Sequence, residues 1–407
     1  VERYWKLMFT SCLFVFGIGF FYLHDTFAEK ELPEYTWEKQ KGNEEVLEDV
    51  LVQAYIQDGG YIEETIQIAG EKRKYSSQLS FLERLTGAMN NLKIKQLQQE
   101  YRGFMRGKEE STYNFYEDER MLAYANVSSE WDSSQFKQSN FALEVETLSK
   151  RDDETTSFSI KFPNQDQYDY MIVEEVTVLG DKLHVLIQND LLVDEESQIE
   201  MQLYTIDLTN EKLLSEQRLF SDKEESTKGD REVALLQDAD ELQASKYIAA
   251  TVRNLEDDDQ KKQLRLFDIK EQVEMPIDVP EKMLEQEVVA DMGDETFYFI
   301  HEQKGKLSIT PYQFAEQQMG DPIEIPISDT IDVKAMKYTK MIQDKLYLLY
   351  DTYMGEEANV LETSNNPQMY VIDLKDKALL YEGELTPNNQ TAKKAFIMIE
   401  SMYENEQ

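Results

Sequence analysis

Cysteine is almost missing from this chain: Cys12 is the only one in 407 residues. No disulfide can form within it, and whatever folds must be held by an apolar core. Histidine is nearly as scarce. His24, His184 and His301 are the whole set, and none has a second His or Cys at the spacing of a zinc site. Glycine, at 16 residues, is too sparse for glycine-rich loops. Neither a Gly-x4-Gly-Lys-Ser/Thr phosphate cradle nor a Gly-x-Ser-x-Gly nucleophile turn occurs. Positive charge is short as well, with 42 basic against 81 acidic residues and a net charge of −39. That excludes nucleic acid as a partner, because its binding depends on neutralising phosphates with Lys and Arg. It also opposes docking on anionic lipid.

Long apolar runs are absent with one exception. Leu7 to Leu23 (LMFTSCLFVFGIGFFYL) has 17 residues without a charge, at the lower edge of the roughly 17–25 that span a hydrocarbon core. Tyr4 and Trp5 before it, and Tyr22 and His24 at its far end, supply rings suited to headgroup depth. The segment after it, Tyr22 to Ala28, has no small-x-small cleavage site, so the run is expected to be an uncleaved signal anchor. Arg3 and Lys6 outweigh Glu2 on the short side, whereas Asp25, Glu29, Glu31 and Glu34 dominate the long side. The positive-inside tendency therefore predicts a single-pass cell-membrane protein, its N-terminus cytoplasmic and the rest extracellular. A large exported domain without disulfides points to a bacterial source.

The expected organisation is a cytoplasmic tail at 1–6, the anchor at 7–23, a connector with a small α/β region at 24–110, a repeat domain at 111–386 and a C-terminal helix at 387–407. Within 24–110, Val46, Leu47, Val50, Leu51, Ala54 and Tyr55 fall at helical spacing and predict a helix over 44–57. Tyr61 to Ala69, a Gly-Glu-Lys turn, and Lys74 to Ser77 predict a hairpin. Leu79, Leu82, Leu85, Met89, Leu92 and Leu97 predict a second helical stretch over 78–102, which Gly87 and the Asn90–Asn91 pair can split. After Pro387, the spacing of Ala392, Ala395, Phe396, Ile399 and Met402 predicts the last one, over 391–403.

Beyond Gly107 a repeat emerges. Asp181-Lys-Leu-His-Val-Leu-Ile-Gln aligns with Asp344-Lys-Leu-Tyr-Leu-Leu-Tyr-Asp. Gln202-Leu-Tyr-Thr-Ile-Asp-Leu aligns with Gln368-Met-Tyr-Val-Ile-Asp-Leu, and Gln263-Leu-Arg-Leu-Phe-Asp-Ile follows the same pattern. Weaker copies begin at Phe141 and Lys306. The matching upstream strands are 120–127, 181–188, 246–252, 296–301 and 344–350. A recurring strand pair that cannot bury both faces alone must stack on its neighbours. The pattern resembles β-propeller blades in general over 111–385, without Trp-Asp or kelch signatures. The predicted fold class is mainly β, a propeller-like domain of five to seven blades, with 61–77 a candidate further blade. A β-sandwich with long insertions is the rival architecture.

Chemistry is hard to find. His184 and His301 occupy comparable strand positions, and a propeller axis would be the place for them and Tyr347 to converge; ordinary strand histidines are the simpler reading. Asp207, Asp268 and Asp373 each close an apolar strand and are expected to accept hydrogen bonds from the amides of the next turn. The run Glu256 to Asp259 lacks calcium-loop spacing. No catalytic residue, cofactor or metal site is assigned. The sequence therefore predicts a membrane-anchored extracytoplasmic module that binds a protein or ligand, its partner being another membrane or envelope protein. The alternative is a surface hydrolase or lyase acting on glycans or peptides, with acids at the axis.

Overall fold

Short β-branched and aromatic runs separated by polar turns make strands throughout this chain, and hairpin pairing assembles them into sheets. The computed structural model describes residues 9–10, 32–58, 61–80, 83, 91–132, 137–193, 196–221, 231–236, 242, 245–254, 262–291, 295–303, 305–328, 336–351, 366–392 and 395–405. The first strand is β1 (Tyr35–Gly42). Blade 1 contains β2 (Val50–Asp58), β3 (Tyr61–Ala69) and β4 (Lys72–Tyr75). Blade 2 contains β5 (Phe115–Glu117), β6 (Met121–Asp132), β7 (Lys137–Ser149) and β8 (Glu154–Lys161), and blade 3 β9 (Tyr168–Leu179), β10 (Lys182–Val193), β11 (Glu196–Asp207) and β12 (Lys212–Ser221). Blade 4 follows with β13 (Arg231–Leu235), β14 (Tyr247–Asn254), β15 (Lys262–Asp268) and β16 (Val273–Met275). In blade 5, β17 (Glu287–Asp291), β18 (Thr296–Gln303) and β19 (Lys306–Gln313) share a fourth position between β20 (Gln318–Met319) and β21 (Ile323–Pro326). Blade 6 has β22 (Met336–Ile342), β23 (Lys345–Asp351), β24 (Gln368–Asp373) and β25 (Ala378–Pro387), and β26 (Phe396–Glu404) ends the series.

The six sheets are antiparallel meanders, and both ends of the described chain cross over to close the ring. β26 pairs with β2 and becomes the first strand of blade 1, whereas β1 pairs with β25 and adds a fifth strand to blade 6. First strands of neighbouring blades meet at the axis. The Tyr338 hydroxyl on β22 donates to the Ile399 carbonyl on β26 at 2.6 Å, and the Ile399 amide donates to Asp351 Oδ2 at 3.1 Å. At five of the six junctions successive sheets then bury their faces against each other, one apolar cluster at each. Blades 2 and 3 share Ala125, Leu143, Val173 and Val185; blades 3 and 4 share Leu186, Leu203, Ile248 and Phe267. Similar clusters join blades 4 and 5, 5 and 6, and 6 and 1. Helix α1 (Leu92–Glu100) lies between blades 1 and 2. Its Ile94 and Leu97 pack on Phe115, Leu122 and Tyr124 of blade 2, while burial and the nearby Lys74 of β4 lower the Lys95 ammonium to about 8. This ring of stacked antiparallel sheets is a β-propeller, with six blades among the described residues.

The five strand pairs predicted from the repeat are β6–β7, β10–β11, β14–β15, β18–β19 and β23–β24, the second and third strands of blades 2 to 6. Their third strands end alike. Asp207 Oδ1 accepts from the amides of Thr209 and Asn210, both at 2.9 Å, Asp268 Oδ1 from Glu271 at 2.8 Å, and Asp373 Oδ1 from Asp376 at 2.7 Å. The last turn residue is left-handed each time, at Glu211, Gln272 and Lys377, and at the corresponding Asp153 and Gln317 in blades 2 and 5. The amide after each third strand also reaches back to the preceding hairpin: Lys150 to Arg120, Leu208 to Asp181, Ile269 to Lys246, Phe314 to Glu295 and Leu374 to Asp344. The strand-closing aspartates are thus structural acceptors.

Several helix expectations give way to strands. Over 44–57 only Glu44–Glu48 is helical, as a 3-10 turn, and β2 follows. Val50, Leu51, Val52, Ala54 and Ile56 are all buried, and a strand covered on both faces loses the alternation that distinguishes it from a helix. The helix expected at 391–403 is β26, whose register against β2 skips Glu400 as a bulge. The extra residue shifts the buried positions from Ile397 and Ile399 to Met402, which imitates helical spacing. The hairpin at 61–77 is β3 and β4. Of the helix expected at 78–102, α1 holds Leu92–Glu100, and 81–82 with 84–90 lie outside the described residues. The segment expected as a small α/β region thus contributes β1 to blade 6 and the whole of β2 to β4 to blade 1. The apolar run 7–23 lies outside the described residues except for the helical Phe9 and Thr10. Among the described residues, no helix is long and apolar enough to cross a membrane.

Candidate functional site

Meander topology gives the ring two unlike faces. On one, the turn face, first strands hairpin into second and third into fourth, mostly through short turns such as 179–182, 207–212 and 373–378. On the other, the connection face, second strands run to third and each blade runs to the next. There the links are uneven: 58–61, 193–196 and 303–306 are as short as the turns, whereas 254–262, 351–368, 221–231 and 326–336 are long. Loop tips on a rigid scaffold are where binding residues concentrate.

One connection on the turn face departs from this economy. Between β13 and β14 of blade 4 the chain runs from 235 to 247, and Leu242 within it packs against Phe115, Leu122 and Tyr124 of blade 2. The Leu242 carbonyl accepts from the Glu117 amide at 2.7 Å. Blade 3 stands between blades 2 and 4, so this contact bridges the ring at the turn face.

The connection-face ends of blades 2 and 3 carry exposed rings. Trp131 near the end of β6 is 63% exposed and Tyr170 near the start of β9 41%, while Tyr113 before β5 and Ile172 in β9, nearer mid-blade by register, are 45% and 40% exposed. Large apolar groups left in water at one end of two adjacent blades suit an interface better than a monomer surface. Blade 3 also holds a polar cluster. Gln202 Nε2 donates to the Tyr168 hydroxyl at 3.1 Å, the Tyr204 hydroxyl donates to Gln202 Oε1 at 2.6 Å, and Arg218 pairs with Glu200 at 2.9 Å. Sequence reasoning passed over these rings because an isolated Tyr or Trp in a strand reads as core. Only the strand ends show which stay in water.

The inner strands also carry two bulge glutamates. Glu174 is skipped in the β9–β10 register and Glu400 in the β26–β2 register. Burial raises the Glu174 carboxyl above the ordinary glutamate value. Glu400 instead accepts from Gln53 Nε2 at 2.6 Å, and burial, followed by Glu400, pushes the Tyr55 hydroxyl up to about 12. Blade 2 separates their strands. Among the described residues, no group of three or more His, Cys, Asp or Glu is placed to hold a metal ion.

The residues singled out from the repeat do not converge. His184 and His301 lie on second strands, of blades 3 and 5, rather than on the strands that line the axis. His301 is exposed, whereas His184 is buried. Gln272 Nε2 donates to Thr205 Oγ1 at 3.1 Å, which leaves the threonine proton for His184 Nδ1, also 3.1 Å away. Tyr347 is buried at the junction of blades 6 and 1, its hydroxyl donating to the Val46 carbonyl at 2.9 Å.

Burial, with a smaller contribution from Lys182, lowers the His184 imidazole to about 4. An unfolded histidine titrates near 6.5, so between about pH 6.5 and 4 the unfolded chain binds the proton more readily than the folded one. We predict stability that is level above pH 6.5 and falls by about 3 kcal/mol towards pH 4. Urea midpoints measured across that range should drop for the wild type and drop less for His184→Gln. Parallel curves would assign the acid sensitivity to other groups.

No family model matches the sequence, and no curated protein matches it. Among solved structures, TolB from Acinetobacter baumannii is similar at 9% identity and a TM-score of 0.31, over 84% of this chain and 65% of that one. The chain thus spans slightly less than two thirds of the TolB length. The WD40 domain of SCAP from fission yeast is similar at 8% identity and a TM-score of 0.31, covering 68% of this chain and 73% of that one. The β-propeller domain of the trilobed protease from Pyrococcus furiosus is similar at 12% identity and a TM-score of 0.23, over 67% and 81%. Likeness this distant carries no weight on function; the propeller assignment rests on strand order and closure.

Proposed function

We propose that this chain is a non-enzymatic binding module: a propeller held at the outer face of a cell membrane by residues 7–23, presenting its connection face to a protein of the envelope. The observation that carries this reading is the asymmetry of the ring. The turn face is bridged by Leu242, whereas the opposite face carries the long connections and the exposed Trp131 and Tyr170. His184 and Tyr347, the groups most able to do chemistry in the repeat, are engaged by Thr205 and Val46. Buried aromatic anchors supply most of the energy at protein interfaces.

The test is crosslinking in intact cells, followed by mass spectrometry, with the wild type and Trp131→Ala/Tyr170→Ser. A specific adduct that the double substitution reduces at least about tenfold, as expected from the loss of roughly 1.4 kcal/mol or more at hot spots, supports the module. A chain that stays monomeric, or an adduct indifferent to both substitutions, counts against it.

A further inference from the structure

One polar side chain interrupts an apolar row of β10. Successive residues of a strand alternate between faces, and Leu183, Val185 and Ile187, all fully buried, put one face of β10 into the cluster shared by blades 2 and 3. The strand runs against β11 without a bulge, so two residues further towards the connection face the same row reaches Asn189. Asn189 is 0% exposed. Neither its Oδ1 nor its Nδ2 has a hydrogen-bond partner, although nearly every buried polar group in a folded protein has one.

The groups around Asn189 are already committed. Across the ladder it faces Glu200, and Gln202 and Tyr204 follow on the same face of β11. Gln202 uses its whole carboxamide: Nε2 donates to the Tyr168 hydroxyl and to Glu200 Oε2, both at 3.1 Å, and Oε1 accepts from the Tyr204 hydroxyl at 2.6 Å. Tyr204, a neighbour of Asn189, thereby gives away its only proton. The Glu200 carboxylate, paired with Arg218 at 2.9 Å, only accepts. Asn189 Oδ1 is thus left without a donor from Glu200, Gln202 or Tyr204. The link between β8 and β9 repeats the shortage, because Gln165 Oε1, three residues before Tyr168, is also buried and unpartnered.

An unmet donor and an unmet acceptor on one side chain call for a guest that both accepts and donates, and the rings nearby limit its size. Tyr168 and Tyr204 are 3% and 1% exposed. We propose that the connection-face end of the blade 2–blade 3 junction is a binding site for ordered water, anchored by the Asn189 carboxamide. Internal waters settle among buried polar groups that lack protein partners, and each typically makes about three hydrogen bonds. Here Asn189 Nδ2 donates to water and Oδ1 accepts from it. The Tyr168 hydroxyl, which accepts from Gln202, keeps a proton to offer as a further bond. A guest larger than water would have to displace the two tyrosine rings.

Crystal structures of the full chain, at a resolution that shows ordered solvent, test the site with the wild type and Asn189→Leu, a substitution that keeps the shape and removes both polar atoms. A solvent peak within hydrogen-bond distance of Asn189 is expected in the wild type and not in the variant. A wild-type site without solvent overturns the inference. Urea midpoints give a second reading that needs no crystals. Where water satisfies the carboxamide, Asn189→Leu forfeits those bonds, and its midpoint is expected at or below that of the wild type. Where the carboxamide is orphaned, an apolar side chain of the same shape relieves it. A midpoint that rises in Asn189→Leu therefore overturns the proposal.

Discussion

Removing residues 396–407 abolishes cooperative folding: that is the expected result of deleting β26. This strand is not an appendage, because it is the first strand of blade 1 and meets β22 of blade 6 across the axis. Ile397, Ile399 and Met402 on it are 1%, 2% and 6% exposed, and burying each such side chain contributes about 1.5–3 kcal/mol. Their sum, roughly 5–9 kcal/mol, is comparable to the whole stability of about 5–15 kcal/mol typical of a domain. The deletion also strips β2 of its partner along the ladder from Val50 to Gln57. Circular dichroism against urea should show no cooperative transition for the truncated chain, and a peptide of residues 396–407 added in trans should restore one. An unchanged midpoint would mean that the ring does not depend on this closure. Deleting β1 should do less, since blade 6 keeps its four-strand meander without it. β1 nevertheless fits tightly where it ends. Gly42 has φ +83°, and a Cβ there would sit 1.9 Å from the Leu380 carbonyl oxygen.

The second large effect belongs to Lys337. Its ammonium pairs with Glu302 Oε1 at 2.7 Å between blades 6 and 5, and the glutamate side chain is only 8% exposed. The Tyr350 hydroxyl donates to the same oxygen at 3.0 Å, and burial followed by the Glu302 charge raises that hydroxyl far above the ordinary tyrosine value. Lys337→Met leaves a buried carboxylate with one hydrogen bond and no counter-charge. Breaking a buried pair from one side costs about 3–5 kcal/mol. Because Lys337 keeps 22% of its side chain in water, the lower end of that range is expected. Lys337→Met/Glu302→Gln should recover most of the loss, since replacing both partners removes the unpaired charge. Urea midpoints of the two single variants and the double variant close the cycle. If the single variant loses less than about 1 kcal/mol, Glu302 draws its support from Tyr350 or water.

The repeat made half of each blade readable. Strand pairs such as β10–β11 and β23–β24 run through the middle of their sheets, where both neighbours and both faces constrain every residue, so Asp181–Gln188 and Asp344–Asp351 look alike. First and fourth strands escaped notice because they lie at sheet edges, where lengths and bulges vary. β5 has three residues and β9 twelve. The candidate site was less accessible still. His184 and Tyr347 drew attention for their chemistry, and the structure assigns both to packing. Trp131 and Tyr170 drew none and remain in water.

Sequence alone determined the mainly β class, the five central strand pairs, the aspartate-closed turns, the acidic surface and the lone apolar run, because each is written in local spacing or composition. Tertiary structure decided what depends on partners distant in the chain. It recruited 50–75 as a blade, turned 396–404 from an apparent helix into the strand that closes the ring, and bridged the turn face with Leu242. Strand pairing links residues more than 300 positions apart, such as Ile56 with Ile397. No local pattern encodes such a pairing, because burial between blades is specified only once the ring exists.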